Sequence, residues 1–190
     1  MKTKLLMLTL AMSCTFAGSA MAMTKVEYKT QKDTVSTQYK AAKDKCSSLK
    51  KNAKDVCILE AKGAEKVAKA ELEDQYKPSA SNKTKVGMVK ADAAYAIAKE
   101  KCDDLAGNAK DVCVKDAKVA YVKAKDDAKI AKVAMDTNTT KTEKMADVKK
   151  DAVSDEKEAM YKAAKERCDT LAGAAKDGCV NEAKVKFGMK

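Results

Sequence analysis

The sequence predicts an all-α protein made of three disulfide-clasped antiparallel helical hairpins, elongated or loosely bundled. Three observations predict it. A phrase bounded by two cysteines occurs three times, as CSSLKKNAKDVC (Cys46 to Cys57), CDDLAGNAKDVC (Cys102 to Cys113) and CDTLAGAAKDGC (Cys168 to Cys179). Beyond residue 22 the chain is dominated by Ala, Lys, Asp, Glu and Val, with no Trp and one Pro, Pro78, a mixture of strong helix formers with few breakers. Small and apolar residues also recur around each cysteine pair in alternating steps of four and three, the spacing of one helix face.

Residues 1–22, MKTKLLMLTLAMSCTFAGSAMA, read as a cleaved signal peptide. Lys2 and Lys4 form a basic start, Leu5 to Ala17 an apolar stretch, and Ala20-Met21-Ala22 a small-residue cleavage site. The apolar stretch falls short of the roughly 20 residues that span a bilayer, and Ala, Gly and Ser follow it. Cys14 is a candidate lipidation site. The LAMS before it places Ala and Met where a lipobox favours an aliphatic and a small residue, so ordinary cleavage is the preferred reading. Export implies an oxidising compartment, and the periplasm is the expected location.

Without the leader six cysteines remain, all in the three repeats. An even number at fixed spacing in an exported chain reads as disulfides. A zinc site fits poorly, because the chain has no His and each repeat offers two thiols where a closed site needs four ligands. Pooled thiols with Met sulfurs would suit only Cu(I), and the C-x-x-C spacing of a redox-active dithiol is absent. No metal or cofactor is therefore expected.

Spacing then decides how each pair closes. In a straight helix the eleven-residue separation would hold two cysteines roughly 16 Å apart, far beyond disulfide reach. In the second repeat Leu105-Ala106-Gly107 reads as a helix end with glycine just past it, and Asn108 with Asp111 reads as the N-cap of the next helix with its partner. Two helices then meet at a tight corner, and Cys46 with Cys57, Cys102 with Cys113 and Cys168 with Cys179 clasp three hairpins.

The seams extend outward from each clasp. In the second repeat Ala98 is expected to face Ala117, Tyr95 to face Ala120 and Ala91 to face Ala124, setting a large ring opposite a small residue. In the first repeat Ala42 faces Ala61, Tyr39 faces Ala64 and Val35 faces Ala68. The third begins alike, with Ala164 and Ala183, but its second arm is short and Ala174 replaces the asparagine at its turn. Tyr39, Tyr95 and Tyr161 each lie seven residues before a first cysteine, so they share its face and read as packing.

The resulting organisation is hairpin 1 over residues 23–76, a linker at 77–83 containing Pro78, hairpin 2 over 84–136, a linker at 137–141, and hairpin 3 over 142–190. Successive first cysteines are unevenly spaced, which marks a loose repeat rather than a strict solenoid. Whether the hairpins stack or hang as beads is left open. Large aliphatic residues are too scarce for a thick globular core.

The phrases YKAAKDKC, AGNAKDVC and AEKVAKAELEDQYKPS resemble a group of small exported bacterial Lys/Ala-rich twin-Cys repeat proteins of uncharacterised function, often labelled TolA-like cell-envelope proteins. The resemblance spans essentially the whole chain. It implies an envelope location and assigns no catalytic or binding residue.

Charge narrows the partners. The formal net charge is +11, but acids and lysines are interleaved, as in KEKCDD and KAKDDAK, which describes a solvated, ion-paired surface. Arg167 is the single arginine, and without arginine forks or stacking aromatics specific nucleic-acid binding is not expected. The densest lysine excess lies at Lys77, Lys83 and Lys85 and at Lys184, Lys186 and Lys190. With no His, no free thiol pair and no Gly-rich phosphate loop, an enzyme is not expected. The functional expectation is a structural or protein-interaction role at the cell envelope, with an envelope protein or an anionic envelope surface as partner. The alternative is a periplasmic holdase chaperone or a protein that binds polyanions or lipopolysaccharide. Oligomeric state is not legible.

Overall fold

The computed structural model describes residues 23–137 and 140–190; the leader reading and the Cys14 question fall outside them. Six α-helices and two 3-10 turns make up the ordered elements, and no strand occurs among the described residues. They are α1 (Lys25–Lys45), α2 (Lys51–Tyr76), α3 (Ala80–Lys101), α4 (Gly107–Ala134), α5 (Lys141–Cys168) and α6 (Gly173–Phe187). Each helix packs chiefly on the one before and the one after it, so the hairpins α1–α2, α3–α4 and α5–α6 stack side by side in chain order. Stacking, not a string of beads, is the arrangement.

Local chemistry explains the helix starts. Thr24 caps α1 and forms a reciprocal capping box with Glu27, and the two hydrogen bonds from Thr24 hold the Glu27 carboxyl below its usual value. Ser79 caps α3 by accepting from the Asn82 N–H at 3.0 Å, and the Asn82 side chain donates to the Lys77 carbonyl at 2.6 Å. Pro78 keeps Lys77 out of the helical conformation. The stop is brief: only Lys77–Ser79 separates α2 from α3, so most of the expected 77–83 linker is helix. Proline halts the chain, but the serine beside it restarts a helix at once.

The buried stripe is made almost wholly of alanine: Ala61, Ala70, Ala91, Ala128, Ala152, Ala159, Ala163 and Ala183, joined by Leu72 and the first cysteine of each pair. Small side chains let backbones approach closely. A Cβ placed on Gly63 would lie 3.0 Å from the Ala93 Cβ across the α2–α3 joint, and one on Gly87 would lie 2.8 Å from the Ala128 Cβ between α3 and α4. Dispersion and alanine burial across these narrow gaps therefore replace the large side chains of a thick core.

The expected seams are met in part: Ala183, beside the third clasp, and Ala91 are buried. Ala61 is buried, but Ala64 and Ala120 are exposed. Tyr95 stacks on Tyr121, with centroids 4.7 Å apart, rather than on Ala120, and Tyr121 donates to Asp92 at 2.7 Å. A second stack joins Tyr28 to Tyr76 at 4.5 Å. The departure has a physical cause: α2 to α5 each pack on two neighbours, so their buried faces are wider than a single two-helix seam.

Candidate interaction surface

The three corners share one construction. The first arm ends at the first cysteine, earlier than turn chemistry suggests, and Leu49, Leu105 and Leu171 each donate a backbone hydrogen bond to the carbonyl of the cysteine three residues before, at 2.9 to 3.1 Å. That tight turn leaves Leu49 and Leu105 extended. The next helix opens on a left-handed residue: Lys51 at φ 52°, Gly107 at 57° and Gly173 at 55°. The second cysteine follows six residues into that helix and closes the clasp, with Cα–Cα distances of 5.6 Å for Cys46–Cys57, 5.7 Å for Cys102–Cys113 and 5.8 Å for Cys168–Cys179. All six repeat cysteines are paired as expected. The left-handed glycine, however, begins the second helix instead of ending the first.

The asparagines do not cap the helices they open. No side chain caps α2, α4 or α6 at its start. Asn52 instead donates across the joint to the Glu100 carbonyl at 2.9 Å, and Asn108 to the Glu166 carbonyl at 2.8 Å. Each adds a second donor to a carbonyl in the last turn of the next hairpin's first arm, which also accepts a backbone N–H from its own C-cap, Cys102 or Asp169. An ion pair reinforces each joint: Lys101 with Glu60 at 2.9 Å, and Arg167 with both carboxylate oxygens of Asp116 at 2.6 and 2.7 Å. Lys115 adds a longer contact to Glu166 at 3.7 Å.

These joints hold the three corners along one edge. At 8–10 Å between packed helix axes, neighbouring corners stand roughly 18 Å apart. Each corner presents its leucine to solvent: Leu49 is 41 % exposed, Leu105 46 % and Leu171 42 %. Recurrence makes this a feature and not scatter, since Leu follows the first cysteine by three residues every time. That recurrence is visible in the sequence but gains meaning only once the corners align. Charge differs along the edge. Lys110 pairs with Asp103 at 3.1 Å and Lys176 with Asp169 at 3.0 Å, whereas the first corner has Ser47 in place of that aspartate and exposes Lys50, Lys51 and Lys54. The edge carries an exposed leucine at every corner and is basic at the hairpin 1 end.

The lysine-rich segments lie elsewhere. Lys77 sits at the Pro78 turn, 5.3 Å from the Tyr76 ring, and Lys184 and Lys186 occupy the last turn of α6, where cations complement the helix dipole. An open groove of about 230 Å³ between α4 and α5 mixes signs. Lys118 lies over the Tyr121 ring at 4.4 Å. Lys129 pairs with the buried Asp126 at 2.7 Å and with Asp155 at 3.6 Å, and the Asp126 hydrogen bond holds its ammonium above the usual lysine value. Neither sign dominates there, so the groove is no obvious receptor for an ion. Among the described residues no group of three or more His, Cys, Asp or Glu is placed to hold a metal, and no helix is long and apolar enough to cross a membrane.

No protein-family model, curated protein or solved structure matches this chain.

Proposed function

We propose that this is a non-enzymatic periplasmic helical repeat protein with a structural or protein-interaction role at the cell envelope, and that the corner edge is its contact surface. The row of three half-exposed leucines, each held at the same place by its own disulfide, carries the reading. An enzyme needs a walled, dry site to hold reacting groups, whereas a stack of thin hairpins is suited to present a rigid, repeated surface. Three disulfides match an oxidising compartment, and the resemblance to TolA-like envelope proteins agrees with that location.

The test is photo-crosslinking in intact cells from a probe at Leu105, with a second probe at exposed Val153 on α5 as control. The reading expects one dominant envelope protein captured from Leu105 and little from Val153. Capture of many unfolded outer-membrane proteins would replace it with the holdase alternative, which draws support from the net charge of +11 and the exposed apolar edge. Capture of lipopolysaccharide that fades with salt would favour the polyanion alternative. Equal labelling from both probes would sink the assignment of the edge.

A further inference from the structure

The two internal joints follow one rule, and the ends of the stack carry its two unused halves. In each joint the residue three after the second cysteine, Glu60 or Asp116, pairs with the base just before the next first cysteine, Lys101 or Arg167. Six residues after the second cysteine stands a small or β-branched residue, Gly63 or Val119, and nine before the next first cysteine stands an alanine, Ala93 or Ala159. Gly63 and Ala93 are in close contact there.

The outer face of α6 repeats the giving half. Glu182 lies three after Cys179, exposed and without an ion pair among the described residues, and Val185 lies six after it. Val185 is 83 % exposed, more than any other large apolar residue described. The outer face of α1 repeats the receiving half. Lys45 stands just before Cys46, exposed and likewise unpaired, with the small residues Ala41 and Thr37 where the internal joints have Ile97 or Ala163 and Ala93 or Ala159.

We propose that copies of this chain join head to tail, the outer face of α6 in one copy docking on the outer face of α1 in the next as a third joint of the same kind. Opposite charges, Glu182 and Lys45, would meet as Glu60 meets Lys101. The surface used is continuous with an interface the fold already employs twice. Such a contact is heterologous and repeats, so it builds chains of copies rather than a closed pair. Head-to-tail docking goes beyond the envelope-contact reading and does not depend on it, since the corner edge stays free.

Two departures set the strength. Ala174 stands where Asn52 and Asn108 donate across the internal joints, so the third joint lacks that hydrogen bond. α6 is also short, 15 residues against 26 in α2 and 28 in α4. The assembly is therefore reversible and driven by concentration.

Sedimentation velocity of the purified disulfide-bonded protein over a wide concentration range tests this. The mean mass should rise past two copies without levelling there. Val185→Lys should abolish the rise, and Glu182→Lys or Lys45→Glu alone should weaken association roughly three- to tenfold. The double charge exchange, Glu182→Lys with Lys45→Glu, should restore most of it. All three positions are exposed, so helicity by circular dichroism should not change. A monomer at every concentration, a plateau at two copies, or association indifferent to Lys45→Glu would each overturn the proposal.

Discussion

Replacing glycine by alanine should act with opposite sign at two places in this protein that look alike in the sequence. Gly107 and Gly178 each stand a few residues from a clasp cysteine, and a Cβ added at either meets nothing within 4 Å. Packing is thus removed from the comparison. Gly107 holds φ +57°, a left-handed conformation that costs an L-residue about 1–2 kcal/mol. Gly178 lies inside α6 with no positive φ, where alanine is favoured over glycine by about 1 kcal/mol. Alanine also stiffens the unfolded chain, which returns about 0.4–1 kcal/mol at Gly107 and is already contained in the helix preference at Gly178. Gly107→Ala should therefore destabilise by about 0.5–1 kcal/mol, and Gly178→Ala should stabilise by about 1 kcal/mol. Lys51 occupies the same left-handed position in the first corner at φ 52°, so Lys51→Gly should stabilise its hairpin by about the amount that Gly107→Ala costs. Stability in a stack is approximately a sum of unit and joint contributions. The assay is therefore urea unfolding by circular dichroism combined with hydrogen exchange resolved to the peptides of each corner. If Gly107→Ala and Gly178→Ala shift stability in the same direction, the second arm does not open on a left-handed residue and the corner geometry is wrong.

Other outcomes follow from the same geometry. Asn108→Ala should cost about 1 kcal/mol by removing the one hydrogen bond from Asn108 across the joint to the Glu166 carbonyl, and exchange should rise at the end of α5 rather than at the start of α4, as a local N-cap would require. Gly87→Ala should forfeit the gain expected at Gly178, since its Cβ would lie 2.8 Å from the Ala128 Cβ and overpacking of about 1–3 kcal/mol offsets alanine's helix preference of about 1 kcal/mol, with urea midpoints as the readout. Each clasp closes a loop for which chain entropy gives about 3 kcal/mol. Mild reduction should thus loosen all three hairpins, and residues 174–190, flanked by a neighbour on one side only, should lose exchange protection first; equal protection of 108–124 would contradict that order. Alkali should weaken the fold. Hydrogen bonds to Glu73 and Asp92 hold the Tyr28 and Tyr121 phenols above the usual tyrosine value, and the bond to Asp126 does the same for the Lys129 ammonium. Groups raised on folding contribute fully below their unfolded values and lose that contribution as pH rises through the folded ones. Stability should therefore fall above pH about 10, with two tyrosines ionising late in a spectrophotometric titration.

The sequence by itself determined that each cysteine pair closes a corner between two helices. Cysteine spacing forbids a straight helix and forces a corner, alanine and lysine favour helix on either side, and Gly107 and Gly173 mark where the backbone must turn left-handed. Those influences are local, so the clasps and arms could be read directly. Only the tertiary structure decided how hairpins meet. Asn52 looks like a cap for its own helix, yet its partner is a carbonyl 48 residues away, and no short-range pattern reports a distance of that kind. Pro78 looks like the start of a linker, but a serine cap confines the break to three residues and folds α3 back on α2. Tyr95 chooses Tyr121 over Ala120 because α3 and α4 also pack on outer neighbours, which turns their faces away from a two-helix register. The three leucines illustrate the same division: their recurrence is sequence, but their common edge exists only because asparagine and ion-pair joints between hairpins align the corners.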